Sequence, residues 1–243
     1  MMRAKRLICA ALVLVMTLSM LCSCDMLAGD ATEKIAEAEA ALKNEPYRVE
    51  LQVDLESDNA KMNEAIISLS EVKFEVLANG DDFKISMLTE VNGTKESYTR
   101  RGGKLYHEIE SNGTKTGKEL EYSPETVANL QAALGDGANV NPDDFSVCVS
   151  QTKKGTTIIT YTDIKDETLN SLVSSMQAKL GADAFVAIKD ASLTVQIVDG
   201  KYDITAFTCE YHLSTLEGEF YTLNLTYIAR FTYEEVAITA PVI

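Results

Sequence analysis

From Arg48 to Glu56 the chain alternates without a break: Val49, Leu51, Val53 and Leu55 are aliphatic, and the residues between them are polar. A period of two belongs to a strand with one buried and one wet face. The same alternation returns near the end, in Leu193, Val195 and Ile197, in Phe207, Cys209, Tyr211 and Leu213, and in Tyr221, Leu223, Leu225, Tyr227, Ala229 and Phe231. Asn79-Gly80, Asn92-Gly93, Gly102-Gly103 and Asn112-Gly113 punctuate the β-prone runs after the first strand. Asn and Gly accept the left-handed dihedrals of tight hairpins, so residues 46–122 are predicted to form a meander of about six strands. Two more strands are predicted at about 144–150 and 156–163, joined through Lys153-Lys154-Gly155. Asp199-Gly200 and Glu217-Gly218 separate the last three. Asn224 lies in an Asn-x-Thr triplet, but its place in the final run predicts a solvent-facing strand residue.

Three segments change to the helical period. Ala31 to Asn44 is rich in Ala and free of Gly and Pro, with a thin stripe of Ile35, Ala38 and Leu42, and is stopped by Asn44 and Pro46. Ser123-Pro124-Glu125 places an N-cap and a first-turn proline before Val127, Leu130 and Leu134. The third runs from Asp166 to Leu180, with Leu169, Leu172, Val173, Met176 and Leu180 on one face and Gly181 following. The expected fold is therefore α+β: a large curved antiparallel sheet, an open half-barrel of about eleven strands, with three helices covering its concave face. Helical stripes this narrow leave the concavity poorly plugged, and an apolar void suits a lipid or another hydrophobic ligand. The predicted lining is Leu51, Val53, Phe83, Ile85, Met87, Leu225, Tyr227 and Phe231 from the sheet, with Leu130, Leu172 and Met176 from the lid.

The first 23 residues have a different character. Arg3, Lys5 and Arg6 precede an uncharged run from Leu7 to Met20, the pattern of a secretory signal. The run closes as Leu21-Cys22-Ser23-Cys24, which resembles the lipobox of bacterial lipoproteins. The resemblance implies a diacylglyceryl thioether on Cys24, cleavage after Ser23 and a partnership with the membrane through that lipid. Two acyl chains anchor durably where one does not. The expected organisation is a signal peptide over 1–23, a tether over 24–30 and a single domain over 31–243.

Net charge narrows the partners. The whole chain carries −15, and loss of the three basic leader residues takes it to −18. Such a surface repels phosphate backbones and anionic headgroups, so nucleic acid is not an expected partner. Beyond Cys24 the cysteines are Cys148 and Cys209. With Phe145, Val147 and Val149 as the apolar set, Cys148 is predicted on the wet face, whereas Cys209 shares parity with Phe207 and Tyr211. Two thiols on opposite faces do not bridge.

The order of elements is similar to that of the lipoprotein carriers LolA and LolB and of lipid-binding lipoproteins such as LppX. The close of the chain, Phe231-Thr232-Tyr233-Glu234-Glu235-Val236-Ala237-Ile238-Thr239-Ala240-Pro241, resembles the ending of LolA-like lipoproteins from Gram-positive bacteria. What the resemblance implies is a hydrophobic-ligand or lipoprotein binder, and no residue role transfers with it.

Catalytic chemistry is not legible. His107 and His212, the only histidines, sit on predicted strands without a second ligand at metal spacing, and no nucleophile elbow, phosphate loop or dinucleotide fingerprint occurs. The expectation is a non-catalytic lipoprotein without cofactor or metal. It would be held at the extracytoplasmic face of the cell membrane, at a Gram-positive cell surface, and bind a hydrophobic ligand. The alternative is a surface-displayed protein-interaction or envelope-sensing module with a filled core.

Overall fold

The computed structural model describes residues 29–59, 63, 72–89, 93–121, 123, 142–180, 184–215 and 219–241. Helix α1 (Gly29–Asn44) is followed by six strands, β1 (Tyr47–Ser57), β2 (Val72–Asn79), β3 (Asp82–Thr89), β4 (Thr94–Arg101), β5 (Lys104–Ser111) and β6 (Thr114–Leu120). After a single 3-10 turn (Pro142–Asp144) come β7 (Phe145–Lys153), β8 (Thr156–Ile164), helix α2 (Asp166–Leu180), β9 (Ala184–Val198), β10 (Lys201–Thr215) and β11 (Phe220–Thr232). All eleven strands belong to one open sheet in the order β6-β5-β4-β3-β2-β1-β11-β10-β9-β8-β7. Every pairing is antiparallel.

Two sequential meanders, β1 to β6 and β7 to β11, thus meet along a single seam between β1 and β11. There Arg48 stands opposite Thr232 and Ser57 opposite Leu223. Alternation puts one apolar row across the seam: Ile159, Val195, Thr205, Ala229, Leu51, Phe74 and Met87 are successive cross-strand neighbours. Most of these are nearly inaccessible to solvent, Ile159 and Val195 at 0%. The tight turns have the chemistry expected of them. Asn112-Gly113, Lys154-Gly155 and Asp199-Gly200 each place both residues at positive φ, the type I′ geometry whose twist suits flanking strands. Asn79 instead ends β2, and Gly80 alone takes the positive φ.

The helical content corrects the expected fold class. The described residues hold two α-helices, not three, and most of them lie in strands. The helix predicted from Ser123, with Val127, Leu130 and Leu134, lies outside the described residues. The open eleven-stranded sheet is consistent with the expected half-barrel, but the two helices do not span its face: α1 packs on β9 and β10, and α2 on β9. In α1 the buried positions are Ala31, Ile35 and Ala38, with Leu42 partly buried, a stripe at helical spacing. Small alanines let α1 lie close to the sheet, and Lys201 on β10 donates to Glu45 just beyond its C-terminus at 2.6 Å. The tail after β11 has no regular structure, yet Val236 and Ile238 are buried.

Strand β7 corrects a second expectation. Cys148, not Val147 or Val149, packs against the core, while the two valines are 42% and 51% exposed. The alternation was phased from Phe145, which is indeed buried, 6.2 Å from the Tyr161 ring. The phase changes one residue later. The pair Ser146 and Asp163 drops out of the β7–β8 ladder, Asp163 has a φ of 63°, and the Ser146 hydroxyl donates to the Asp163 carbonyl. An irregular step of this kind re-aims side chains at the end of a strand. Phe145 and Cys148 therefore share the core face across that step. Cys148 and Cys209 are both free thiols, on one face but three strands apart, about 14 Å at ordinary strand spacing. Distance, rather than opposite faces, keeps them unbridged.

Candidate functional site: a cleft where two strands part

Strand β1 is longer than its neighbour on one side. Its ladder with β2 runs from Tyr47↔Ala78 to Leu51↔Phe74 and stops, while its ladder with β11 continues to Ser57. Beyond Leu51 the two strands part, and a cleft of about 650 Å³ opens there. Because it lies where strands separate, it is lined from both faces of the sheet. Leu51, Val53 and Phe74 belong to the apolar face; Glu50, Gln52, Asp54, Lys73, Glu75, Ser86, Leu88, Lys95 and Arg230 belong to the polar one. A volume of this size is within the range of small-molecule sites.

The rim carries charges of both signs. Glu50 and Asp54 project from β1, and the Gln52 amide donates to Asp54 at 2.8 Å. Lys73 and Lys95 stand on either side of Leu88 in one cross-strand row. Glu75 meets Arg48 at 3.3 Å. Between these groups Ser86 is only 4% exposed, and its row neighbour Ser97 only 3%. The polar side of β3 and β4 is thus screened from water at its centre, which a half-wet strand does not predict.

The residues expected to line a void fall in two groups. Leu51, Ile85, Leu225, Tyr227, Phe231 and Leu172 are buried in one continuous core cluster, and Val53, Phe83 and Met87 are partly buried against it. Of these, Leu51 and Val53 reach the cleft. Leu130 and Cys24 lie outside the described residues, as does the Met176 side chain. Lys73, Ser86, Leu88, Lys95 and Arg230 were not anticipated.

A second polar group sits on the apolar face of β4 and β5. Glu96 accepts from the Tyr98 hydroxyl at 3.0 Å and contacts His107 Nε2 at 2.8 Å. The Tyr98 and His107 rings stack with centroids 4.5 Å apart. His107 is therefore a partnered sheet histidine. Among the described residues no cluster of His, Cys, Asp and Glu is arranged to hold a metal, and no helix is long and apolar enough to cross a membrane.

Burial sets the reactivity of the thiols. Desolvation pushes the Cys209 thiol up to about 12 from 9.0, and raises Cys148 as well. At pH 8 such a shift leaves Cys209 with about 1,000-fold less thiolate than an unperturbed cysteine. Alkylation by iodoacetamide, followed by peptide mass spectrometry, is expected to label Cys148 well before Cys209. Equal labelling of the folded protein would contradict this burial.

No protein-family model matches the chain, and no curated protein matches it. Among solved structures the chain is similar to an inactive mutant of CurJ dehydratase in complex with a small compound. The identity is 10%, over 84% of this chain and 82% of that one, with a TM-score of 0.13. At that score the likeness carries no argument about fold or activity.

Proposed function

We propose that this protein is a lipoprotein anchored through Cys24 at the extracytoplasmic face of the membrane, of a Gram-positive cell on the tail resemblance, and that it binds a hydrophobic ligand without catalysis. The observation that carries the binding reading is the cleft at the parting of β1 and β2, whose lining includes the partly buried Val53 beside Leu51 and Phe74. From Val53 an apolar row continues through Tyr227 to Phe207 and Leu193. The charged rim favours a ligand with a polar end, that is, an amphiphile. The anchor rests on the sequence resemblance at Cys24, and its test is metabolic labelling with a radioactive or clickable fatty acid, which Cys24→Ala is expected to abolish.

Binding is tested with the chain from residue 24, carrying Cys24→Ser, titrated into dansyl-undecanoic acid. A saturable fluorescence rise with one ligand per chain is expected. Val53→Trp, which fills the cleft, is expected to weaken it at least 10-fold. Absence of binding, or binding indifferent to Val53→Trp, removes the carrier reading. A specific observation then favours the interaction module: the core cluster runs without interruption from Phe145 through Leu193 and Leu225 to Phe74 and Ile85, as a filled interior would.

A further inference from the structure

The two edges of the sheet are unlike. β6 (Thr-Lys-Thr-Gly-Lys-Glu-Leu) carries Lys115, Lys118 and Glu119 with Gly117 at its centre. Charges and a glycine on an edge discourage another strand from pairing with it. β7 (Phe-Ser-Val-Cys-Val-Ser-Gln-Thr-Lys) has no charge before Lys153. Val147 and Val149 are 42% and 51% exposed, and Ile158, opposite Gln151 on β8, is 42% exposed. Among the described residues no strand pairs with the outer side of β7, and its nine residues, about 30 Å of edge flanked by exposed aliphatic side chains, form a surface suited to strand addition.

The charge at the ends of this edge selects the occupant. Asp143 and Asp144 precede β7, and Asp163, Asp166 and Glu167 lie near the same end, beside Lys165. The other end carries Lys153 and Lys154. A second copy of β7 laid antiparallel sets each basic end against an acidic end, whereas a parallel copy sets like against like. A two-fold axis through the middle of the strand also closes the assembly at two chains. The guarded β6 edges face outward and offer no further growth.

We propose that the β7 edge docks a second copy of this chain, strand to strand and antiparallel about a two-fold axis near Val149, so that two sheets join into one.

Sedimentation velocity of the chain from residue 24, carrying Cys24→Ser, tests this between 1 and 100 μM. A monomer–dimer equilibrium is expected within that range, since one strand edge is a small interface. Val149→Lys is expected to give monomer throughout, and Val147→Lys supplies the same test at a second exposed position should the first variant lose its native circular dichroism. Lys154→Asp is expected to weaken the dimer at least 10-fold, and adding Asp143→Lys to restore it. A wild-type chain that stays monomeric at 100 μM overturns the proposal. So does a dimer that survives both lysine substitutions, or open-ended growth beyond two chains.

Discussion

Truncating Ile159 to alanine is expected to lower folding stability by about 2–5 kcal/mol, while the same change at its neighbour Ile158 is expected to stay within about 0.5 kcal/mol. The two residues have the same chemistry and adjacent places on β8, but Ile159 is 0% exposed and Ile158 42%. Ile159 lies between Ser150 and Val195 in the long apolar row that crosses the seam. Removing three carbons there leaves a cavity that close-packed neighbours fill only in part. Urea denaturation at low micromolar concentration, followed by circular dichroism, measures both. A similar cost at the two positions would mean that the face assignment of β8 is wrong, and with it that of the adjoining β7.

Raising the pH is expected to destabilise the fold progressively from about pH 9. The Cys209 thiol is raised from 9.0 to about 12 by burial, and burial also raises the Tyr211 and Tyr227 phenols. Below pH 9 the folded and unfolded chains both hold these protons, so the contribution to stability is complete. As the pH rises, the unfolded chain releases protons that the folded chain keeps, and unfolding gains. Three units at Cys209 correspond to about 4 kcal/mol lost by pH 12. The urea midpoint is expected to fall steadily between pH 8 and pH 11, and Cys209→Ala to make that fall shallower without abolishing it, because the tyrosines remain. A flat midpoint in the wild-type chain would show that the apolar face near Cys209 is open to water.

Local pattern accounts for most of what was readable. Alternation located the strands because burial on one face is a local demand, and paired residues at positive φ located the turns. The stripe Ile35, Ala38 and Leu42 identified α1 for the same reason. The failures came from events that a single strand does not encode. Phe145 misled the phase of β7 because the step that reverses it is shared with Asp163 on another strand. The cleft escaped notice because it depends on where one ladder stops while another continues, a relation among β1, β2 and β11. Its polar residues, Glu50 and Asp54 among them, looked like ordinary solvated positions. The extent of helical cover was misjudged because a stripe says that a helix packs, not which strands it packs on.

The seam between β1 and β11 also dictates an order of events during synthesis. β1 is made well before β11, the strand that satisfies its other edge, so Arg48 waits for Thr232. Until then each meander can zip up hairpin by hairpin, but the nascent chain carries a raw backbone edge at Val49 to Leu55, ready to stick to whatever strand it meets. A chain stopped after β10 would keep that edge for good. Pairing with β11, rather than any earlier turn, is what closes this edge of β1.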